Sequence, residues 1–106
     1  MSKSASMLSA LTLVFTAAPA IAETHLIDVR TPTEFAEGHI NGAINIEYQQ
    51  ILQGAESEGL KIDDEIFLYC RSGKRAETAK AALTVKGYKN VTNLGGIEDA
   101  KAAVGR

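Results

Sequence analysis

One segment limits the fold of this chain more than any other: a strand that ends in a cysteine and leads through a short loop into a helix. Residues 65–69 are typical of a buried parallel strand, because their apolar run does not alternate with polar residues. Cys70 follows directly, and Gly73 lies in the loop before residues 75–86. Alanine and leucine recur at helical spacing in that last stretch. The segment therefore predicts an alternating α/β fold.

The chain before this segment contains the start of another helix. Residues 25–29 predict a strand, and Thr31, Pro32 and Glu34 follow it. This is the pattern of a capping box, with a threonine N-cap, proline at the first helical position and an acid at the third. We expect a short helix that ends at Gly38.

The remaining elements follow from apolar runs and from the positions of glycines. We predict strands at residues 42–46 and 91–94, a helix at 48–54, a polar connection at 55–64, a helix stop at Gly87 and, after a turn at Gly95 and Gly96, a last helix to about residue 104. Together these elements predict a small α/β domain. Its mostly parallel sheet has about four main strands, with helices packed on both faces.

The cysteine loop carries the residues that can do chemistry. Arg71, Lys74 and Arg75 place three cationic side chains within five positions of Cys70, the single cysteine. A helix N-terminus beside the sulfur adds free N–H groups and the positive end of the helix dipole. Both features favour a thiolate over a thiol, and both favour a bound anion. The sequence therefore predicts a cysteine nucleophile that acts on a small anionic substrate.

Other candidate residues lie at the ends of the neighbouring strands, where ligands bind in parallel α/β sheets. Asp28, Arg30 and the glycine pair at 95–96 are expected to converge near Cys70. We expect Asp28 and Arg30 to brace the loop by salt bridges or hydrogen bonds. His25 and His39 lack metal-ligand spacing, so we assign them structural roles and expect neither a metal nor another cofactor.

The first residues have the pattern of a secretory signal. An uncharged apolar stretch at residues 7–18 leads to Ala20, Ile21 and Ala22, which form an A-x-A cleavage site. The stretch is shorter than the roughly 20 apolar residues that span a membrane. We therefore expect a cleavable signal peptide at residues 1–22 and one domain at residues 23–106, exported to the periplasm without stable membrane insertion.

Charge and cysteine count narrow the functional classes. The formal net charge is −2 at pH 7, which argues against nucleic acid or an anionic membrane as the general partner. A single cysteine cannot form an internal disulfide, and it lacks the partner thiol that an oxidoreductase normally needs. Stability must come from packing, and the thiol stays available for chemistry.

These motifs together resemble those of the single-domain rhodaneses, which are thiosulfate sulfurtransferases. More narrowly, the chain is similar to the small periplasmic rhodaneses of enteric bacteria. The resemblance covers essentially all of residues 23–106. The matching residues are Ile27, Asp28, Val29 and Arg30, Glu34 and Phe35, residues 38–46, residues 69–75, Gly87, Tyr88, Val91, Gly95 and Gly96.

The resemblance implies a reaction. Cys70 would take the outer sulfur of thiosulfate as a persulfide, release sulfite, and pass the sulfur to cyanide or to a thiol. It also implies substrate binding by the loop residues Arg71, Ser72, Gly73, Lys74 and Arg75, with Arg75 the first choice for direct contact. The expected protein is a periplasmic monomer that needs no cofactor.

Two departures from the family pattern affect the edges of the site. Many rhodaneses have a strand and a helix before the first matching strand, whereas here only Glu23 and Thr24 of the predicted domain precede it. The sheet should therefore be smaller. An aromatic residue often follows the glycine pair, and here Ile97 stands in its place, which changes the outer wall of the pocket.

Two alternative functions would also use a cysteine in such a loop. The first is a persulfide carrier or sulfur-binding module without significant turnover on thiosulfate. The second is a cysteine phosphatase, whose signature places an arginine six positions after the cysteine. Here position 76 is alanine and the arginine comes at position 75, so the loop is one residue short. Sulfur transfer is the better interpretation.

Overall fold

Strands and helices alternate along the whole of the described chain. The structure, a computed structural model, describes residues 21–105. In chain order its elements are β1 (Thr24–Asp28), α1 (Pro32–Glu37), β2 (Ile44–Asn45), a 3-10 turn (Tyr48–Gln50), α2 (Ile51–Ser57), β3 (Glu65–Cys70), α3 (Lys74–Lys86), β4 (Asn90–Gly96) and α4 (Ile97–Val104). The predicted signal peptide lies, except for Ile21 and Ala22, outside the described residues.

The four strands form one parallel sheet in the order β2-β1-β3-β4. β3 lies between β1 and β4, and five of its six residues are buried or half-buried. Such a strand needs apolar side chains on both faces, which explains the apolar run in the sequence. The prediction of a small, mostly parallel α/β domain with about four strands is confirmed.

Two hydrophobic clusters cover the two faces of the sheet. One contains Ile66, Leu68 and Cys70 of β3 with α2 and α3, and the other contains Tyr69 of β3 with Ala100 of α4. Successive residues of a strand point to opposite faces, so Tyr69 and Cys70 belong to different clusters. Cys70 therefore lies under α3, the helix that follows it.

Local signals at helix ends agree with the structure. Thr31 Oγ1 accepts a hydrogen bond from the backbone N–H of Glu34 at 3.1 Å, and Glu34 Oε1 accepts one from the N–H of Thr31 at 3.0 Å. The capping box is thus confirmed, and Gly38 and Gly87 end their helices as predicted.

Three predicted boundaries are wrong. The strand expected at 42–46 contains only Ile44 and Asn45, because residues 41–42 form a turn in which the N–H of Ala43 donates to the carbonyl of Ile40, and only Ile44 and Asn45 pair with β1. The helix expected at 48–54 begins as a 3-10 turn and continues to Ser57, since burial of Ala55 in the core extends it. The glycines expected to form a turn at 95–96 end β4, where Gly96 pairs with Cys70.

Candidate active site

The sulfur of Cys70 lies at the N-terminus of α3. It accepts hydrogen bonds from the backbone N–H of Gly73 at 2.9 Å and from that of Ala76 at 3.4 Å. Gly73 is the N-cap of α3, so both donors belong to the helix start, where N–H groups have no partner within the helix. Cys70 is 1% exposed. The sulfur is therefore held by backbone donors at the positive end of a helix dipole.

Glycines allow the cysteine loop to pack closely against the end of β4. Gly73 has φ of +96°, and a Cβ added to it would lie 3.2 Å from Cα of Gly95. A Cβ on Gly96 would lie 2.5 Å from the carbonyl oxygen of Arg71, a distance that forces a shift. The side-chain amide of Asn93 adds a polar tie, because it donates to the carbonyl of Gly73 at 2.9 Å. The glycine pair thus lies beside the loop, as the sequence predicted.

Glu34 connects α1 to both arginines of the cysteine loop. Its Oε1 accepts from Arg75 Nη1 at 2.8 Å, and its Oε2 accepts from Arg75 Nη2 at 3.1 Å and from Arg71 Nη2 at 3.0 Å. These bonds from Arg75, together with the N–H of Thr31, hold the pKa of Glu34 well below its ordinary value. The same bonding raises the pKa of Arg75.

The predicted loop residues differ in exposure. Arg71, Ser72 and Lys74 are exposed, whereas the side chain of Arg75 is 27% exposed. Arg75, the first choice for substrate contact, is thus anchored by Glu34 rather than free at the surface. The backbone donors on the sulfur come from Gly73 and from Ala76, and Ala76 lies one residue beyond the predicted set.

Asp28 and Arg30 form a buried ion pair. Arg30 Nη2 lies 2.7 Å from Asp28 Oδ2, and Asp28 is fully buried. Hydrogen bonding to Asp28 is the largest cause of the raised pKa of Arg30. Arg30 Nη2 also donates to the carbonyl of Gly38 at 2.7 Å, and its guanidinium carbon lies 5.8 Å from the centroid of the Tyr69 ring. The pair contacts the turn after α1 and the residue before Cys70.

Tyr69 extends this support toward the same turn. Its hydroxyl oxygen accepts a hydrogen bond from the N–H of Ile40 at 3.1 Å. Burial raises the pKa of Tyr69 to about 12, so the phenol stays neutral at working pH. Asp28 and Arg30 therefore support the end of β3 that carries Cys70, through the contact of Arg30 with Tyr69. Their connection to the cysteine loop passes through this strand.

Both histidines contact neighbouring residues of the domain. His25 Nε2 lies 2.9 Å from Asp64 Oδ2, and His39 Nδ1 lies 2.8 Å from the carbonyl oxygen of Phe35 while its ring stacks on the Phe35 ring. Within residues 21–105, no three His, Cys, Asp or Glu side chains are grouped as metal ligands would be. In the same part of the chain, no helix has the length and apolar character needed to cross a membrane.

Two residues of this site are not predicted from the sequence. The capping box explains Glu34 locally, but its side chain also contacts loop residues 37 and 41 positions away. Asn93, in β4, belongs to no motif that indicates a place in the site. One sequence signal could have indicated a second role for Glu34. Three clustered cations repel one another, so an acidic side chain is expected near them in a protein of net negative charge.

Comparisons with known proteins agree with this geometry. Residues 16–103 match the rhodanese-like domain family. The chain is 37% identical over 92 residues to the thiosulfate sulfurtransferase PspE of Escherichia coli K12, across 87% of this chain and 88% of that protein. It is 38% identical over 71 residues to a sulfurtransferase of Allochromatium vinosum, across 67% of this chain and 64% of that protein.

A solved structure gives the same result. The structure described as a rhodanese with anions from E. coli matches with a TM-score of 0.68 and 34% identity, across 72% of this chain and 89% of that chain. The named relatives support sulfurtransferase activity as a general class. Because the family match spans most of the sequence and PspE is matched along nearly its whole length, the chain belongs to the rhodanese family, which confirms the resemblance stated from its motifs.

Proposed function

We propose that this protein transfers a sulfur atom from thiosulfate to cyanide or to a thiol through a persulfide on Cys70. The observation that carries the proposal is the pair of backbone N–H donors, from Gly73 and Ala76, on the sulfur of Cys70. Donors fixed in this way stabilise negative charge on sulfur without reorganisation during the reaction. A thiolate held at the start of a helix is the form that attacks.

The reaction takes place in two half-reactions. In the first, the Cys70 thiolate attacks the outer sulfur of thiosulfate; a new S–S bond forms, and sulfite leaves with the electron pair of the bond that breaks. In the second, cyanide attacks the terminal sulfur of the persulfide. A C–S bond forms, the persulfide S–S bond breaks, and thiocyanate leaves while the thiolate is regenerated. No external oxidant or reductant is needed.

The proposed binding site for the thiosulfate dianion is the cationic rim of the cysteine loop, which is formed by Arg71, Lys74 and Arg75. Glu34 accepts hydrogen bonds from Nη1 and Nη2 along one edge of the Arg75 guanidinium, which has further N–H donors for an anion. Arg71 and Lys74 are exposed and add positive charge at the entrance, while the backbone of Ser72 and Gly73 forms the turn between them. The anions in the similar E. coli rhodanese structure support an anion site in this family.

Loading of the cysteine tests the proposal directly. After incubation of residues 23–106 with thiosulfate, intact mass should rise by about 32 Da, the mass of one sulfur in a persulfide. Cyanide should remove this mass and release thiocyanate, and the Cys70→Ser variant should gain none. A persulfide that forms without catalytic thiocyanate production would favour the carrier function. Failure to load would exclude thiosulfate as the donor.

A second assay separates sulfur from phosphate chemistry. The loop from Cys70 to Arg75 has six residues, which make a tight cradle around one sulfur atom. A phosphate needs more room, because each of its three equatorial oxygens must face donors. We expect no useful hydrolysis of aryl phosphates by the wild-type protein. Phosphatase turnover comparable with thiosulfate turnover would contradict the assignment.

We also propose that residues 1–22 are removed on export and that the domain acts as a monomer in the periplasm. The A-x-A pattern supports cleavage before Glu23, and Ile21 and Ala22 are exposed. N-terminal sequencing of exported protein and measurement of its mass in solution test this. A product that retains residues 7–18 would contradict it.

A further inference from the structure

Asp64 is a buried carboxylate at the end of the sheet opposite to Cys70. Its side chain is 1% exposed. Oδ1 accepts from the backbone N–H of Glu23 at 3.0 Å; Oδ2 accepts from the N–H of Lys61 at 2.9 Å and lies 2.9 Å from His25 Nε2. The N–H groups of Glu23 and Lys61 are the largest causes of its pKa falling to about 2. Among residues 21–105, no lysine or arginine side chain forms a salt bridge with it.

We propose that Asp64 is a binding site for a primary ammonium group, and that its ligand is the chain's own α-ammonium after cleavage before Glu23. Cleavage adds one water across the peptide bond between Ala22 and Glu23. Ala22 keeps a carboxylate, and the nitrogen of Glu23 becomes a protonated amine. The inference depends on the proposed cleavage position and not on the sulfur chemistry.

The sheet keeps the nitrogen of Glu23 in place when the preceding residues leave. The carbonyl of Glu23 accepts a hydrogen bond from the N–H of Glu65 at 2.8 Å, and the next residue, Thr24, pairs with Glu65 in β3. Ile21 is 78% exposed, so its removal takes little from the core. The new ammonium therefore forms at the nitrogen that already lies 3.0 Å from Asp64 Oδ1.

Cleavage thus changes the charge of an existing contact and leaves its geometry unchanged. The existing bond already has a charged acceptor, and the new ammonium adds the attraction between opposite charges. Because Asp64 is buried before and after cleavage, this attraction requires no further desolvation of the carboxylate. Processing should therefore stabilise the mature domain. It should also hold the α-amine protonated to a higher pH than usual, since the neighbouring carboxylate favours the charged form.

Three forms of the chain test the proposal: one starting at Glu23 with a free amine, the same form acetylated at its N-terminus, and one starting at Ala22 with a free amine. The acetylated form keeps a neutral N–H at Glu23, and the Ala22 form moves the ammonium by one residue. At pH 7 we expect the melting temperature of the Glu23 form to exceed both others by about 4–8 °C. All three forms share Asp64, His25 and the Glu23 side chain, so differences between them report the amine.

The pH dependence gives an independent measurement. A group whose pKa is raised on folding adds stability that is present below its unfolded pKa, about 7.7–8.0 for an α-amine, and is lost as pH rises through the folded pKa. The advantage of the Glu23 form should therefore disappear in alkali. Titration of the amine by NMR on the unaltered chain should show a midpoint above about 8.

An Asp64→Asn substitution should remove the difference between the amine and acetyl forms. Equal melting temperatures of these two forms with Asp64 intact, an amine that titrates as in a peptide, or an exported chain that starts at another residue would each overturn the proposal. Thiosulfate loading of Cys70 should be the same in all three forms. A failure of loading would therefore count against the proposed reaction alone.

Discussion

Glu34 and Asp64 use the same kind of interaction at opposite ends of the sheet. Each carboxylate accepts several hydrogen bonds, and in each the pKa lies below its ordinary value. Their partners differ. Glu34 is 16% exposed and is held mainly by the side chains of Arg75 and Arg71, whereas Asp64 is 1% exposed and is held mainly by backbone N–H groups.

This difference in partners determines what each end of the sheet can bind. Side-chain cations at a surface can share an incoming anion, because guanidinium groups have several donors and can move. The backbone donors on Asp64 belong to Glu23, which precedes β1, and to Lys61, in the connection before β3, and backbone groups cannot turn toward a ligand as side chains can. The carboxylate pKa is therefore lowered at both ends, but the partners differ. The Glu34 end has exposed cations available to the proposed anion, whereas Asp64 is held by backbone groups of the chain itself.

The largest expected effect is the loss of all sulfur transfer in Cys70→Ser. Serine has a similar size and its oxygen can accept the bonds from Gly73 and Ala76, so the fold should stay intact, but a hydroxyl cannot form a persulfide. Thiocyanate production and the melting temperature measure the two properties separately. Thr78→Ala, at an exposed position of α3 outside the loop, is the control and should retain catalysis. Residual catalysis in the Cys70 variant would place the nucleophile elsewhere.

The next largest effects distinguish a substrate-binding arginine from a structural one. Arg75→Ala removes a charge-assisted contact to a dianion, which costs on the order of 1.5–3 kcal/mol, and we expect kcat/KM for thiosulfate to fall by about 10- to 150-fold. Arg30→Ala leaves the buried Asp28 without its cation and should cost about 3–5 kcal/mol of stability.

Arg30→Lys keeps the charge and provides a folded variant if the alanine form does not fold. Its melting temperature should fall while kcat/KM, measured well below that temperature, changes little. Equal kinetic losses in Arg75→Ala and Arg30→Lys, with unchanged melting temperatures, would contradict this division of roles.

Glu34→Gln should have a smaller and mixed effect. Loss of its charge leaves the cations of the rim less neutralised, so thiosulfate should bind more tightly and KM should fall with greater dependence on salt. The weaker tie between α1 and Arg75 should lower the melting temperature by a few degrees, roughly the effect of 1 kcal/mol in a domain of this size. Glu37→Gln, an exposed acid on the same helix, is the matched control. A rise in KM would mean that positioning of the arginines by Glu34 outweighs its charge.

The order of elements could be predicted because each has a local signal. The capping box at Thr31, the buried run of β3 and the helix stop at Gly87 depend on residues close in sequence. The boundaries that were wrong depend on distant contacts. β2 is short because only Ile44 and Asn45 pair with β1, and Gly96 lies in β4 because it pairs with Cys70.

The candidate site shows the same division. Cys70, its cations and the glycine pair could be predicted from one loop and one motif. The part played by Glu34 in holding Arg71 and Arg75 could not, because its local role as a helix cap already explained it and the arginines lie 37 and 41 positions away. Asp64 gave no signal in sequence, since its donors are backbone groups of residues 23 and 61.

The smallest expected effect is in the acid stability of the two ends. A carboxylate whose pKa is lowered on folding adds stability that is present above its unfolded pKa, about 3.9 for Asp and 4.3 for Glu, and is lost as pH falls through the folded value. For Asp64 the folded value is about 2, and for Glu34 it lies well below the ordinary range.

Urea unfolding between pH 7 and pH 3 should therefore show a decline in the free energy of unfolding of the wild type below about pH 4.5. The decline should be shallower in Asp64→Asn and in Glu34→Gln, and high salt should reduce the contribution of Glu34 more than that of Asp64, because Arg71 is exposed and screened. Parallel curves for wild type and both variants would show that neither carboxylate gains stability from its partners, and equal salt effects would remove the distinction between the two ends.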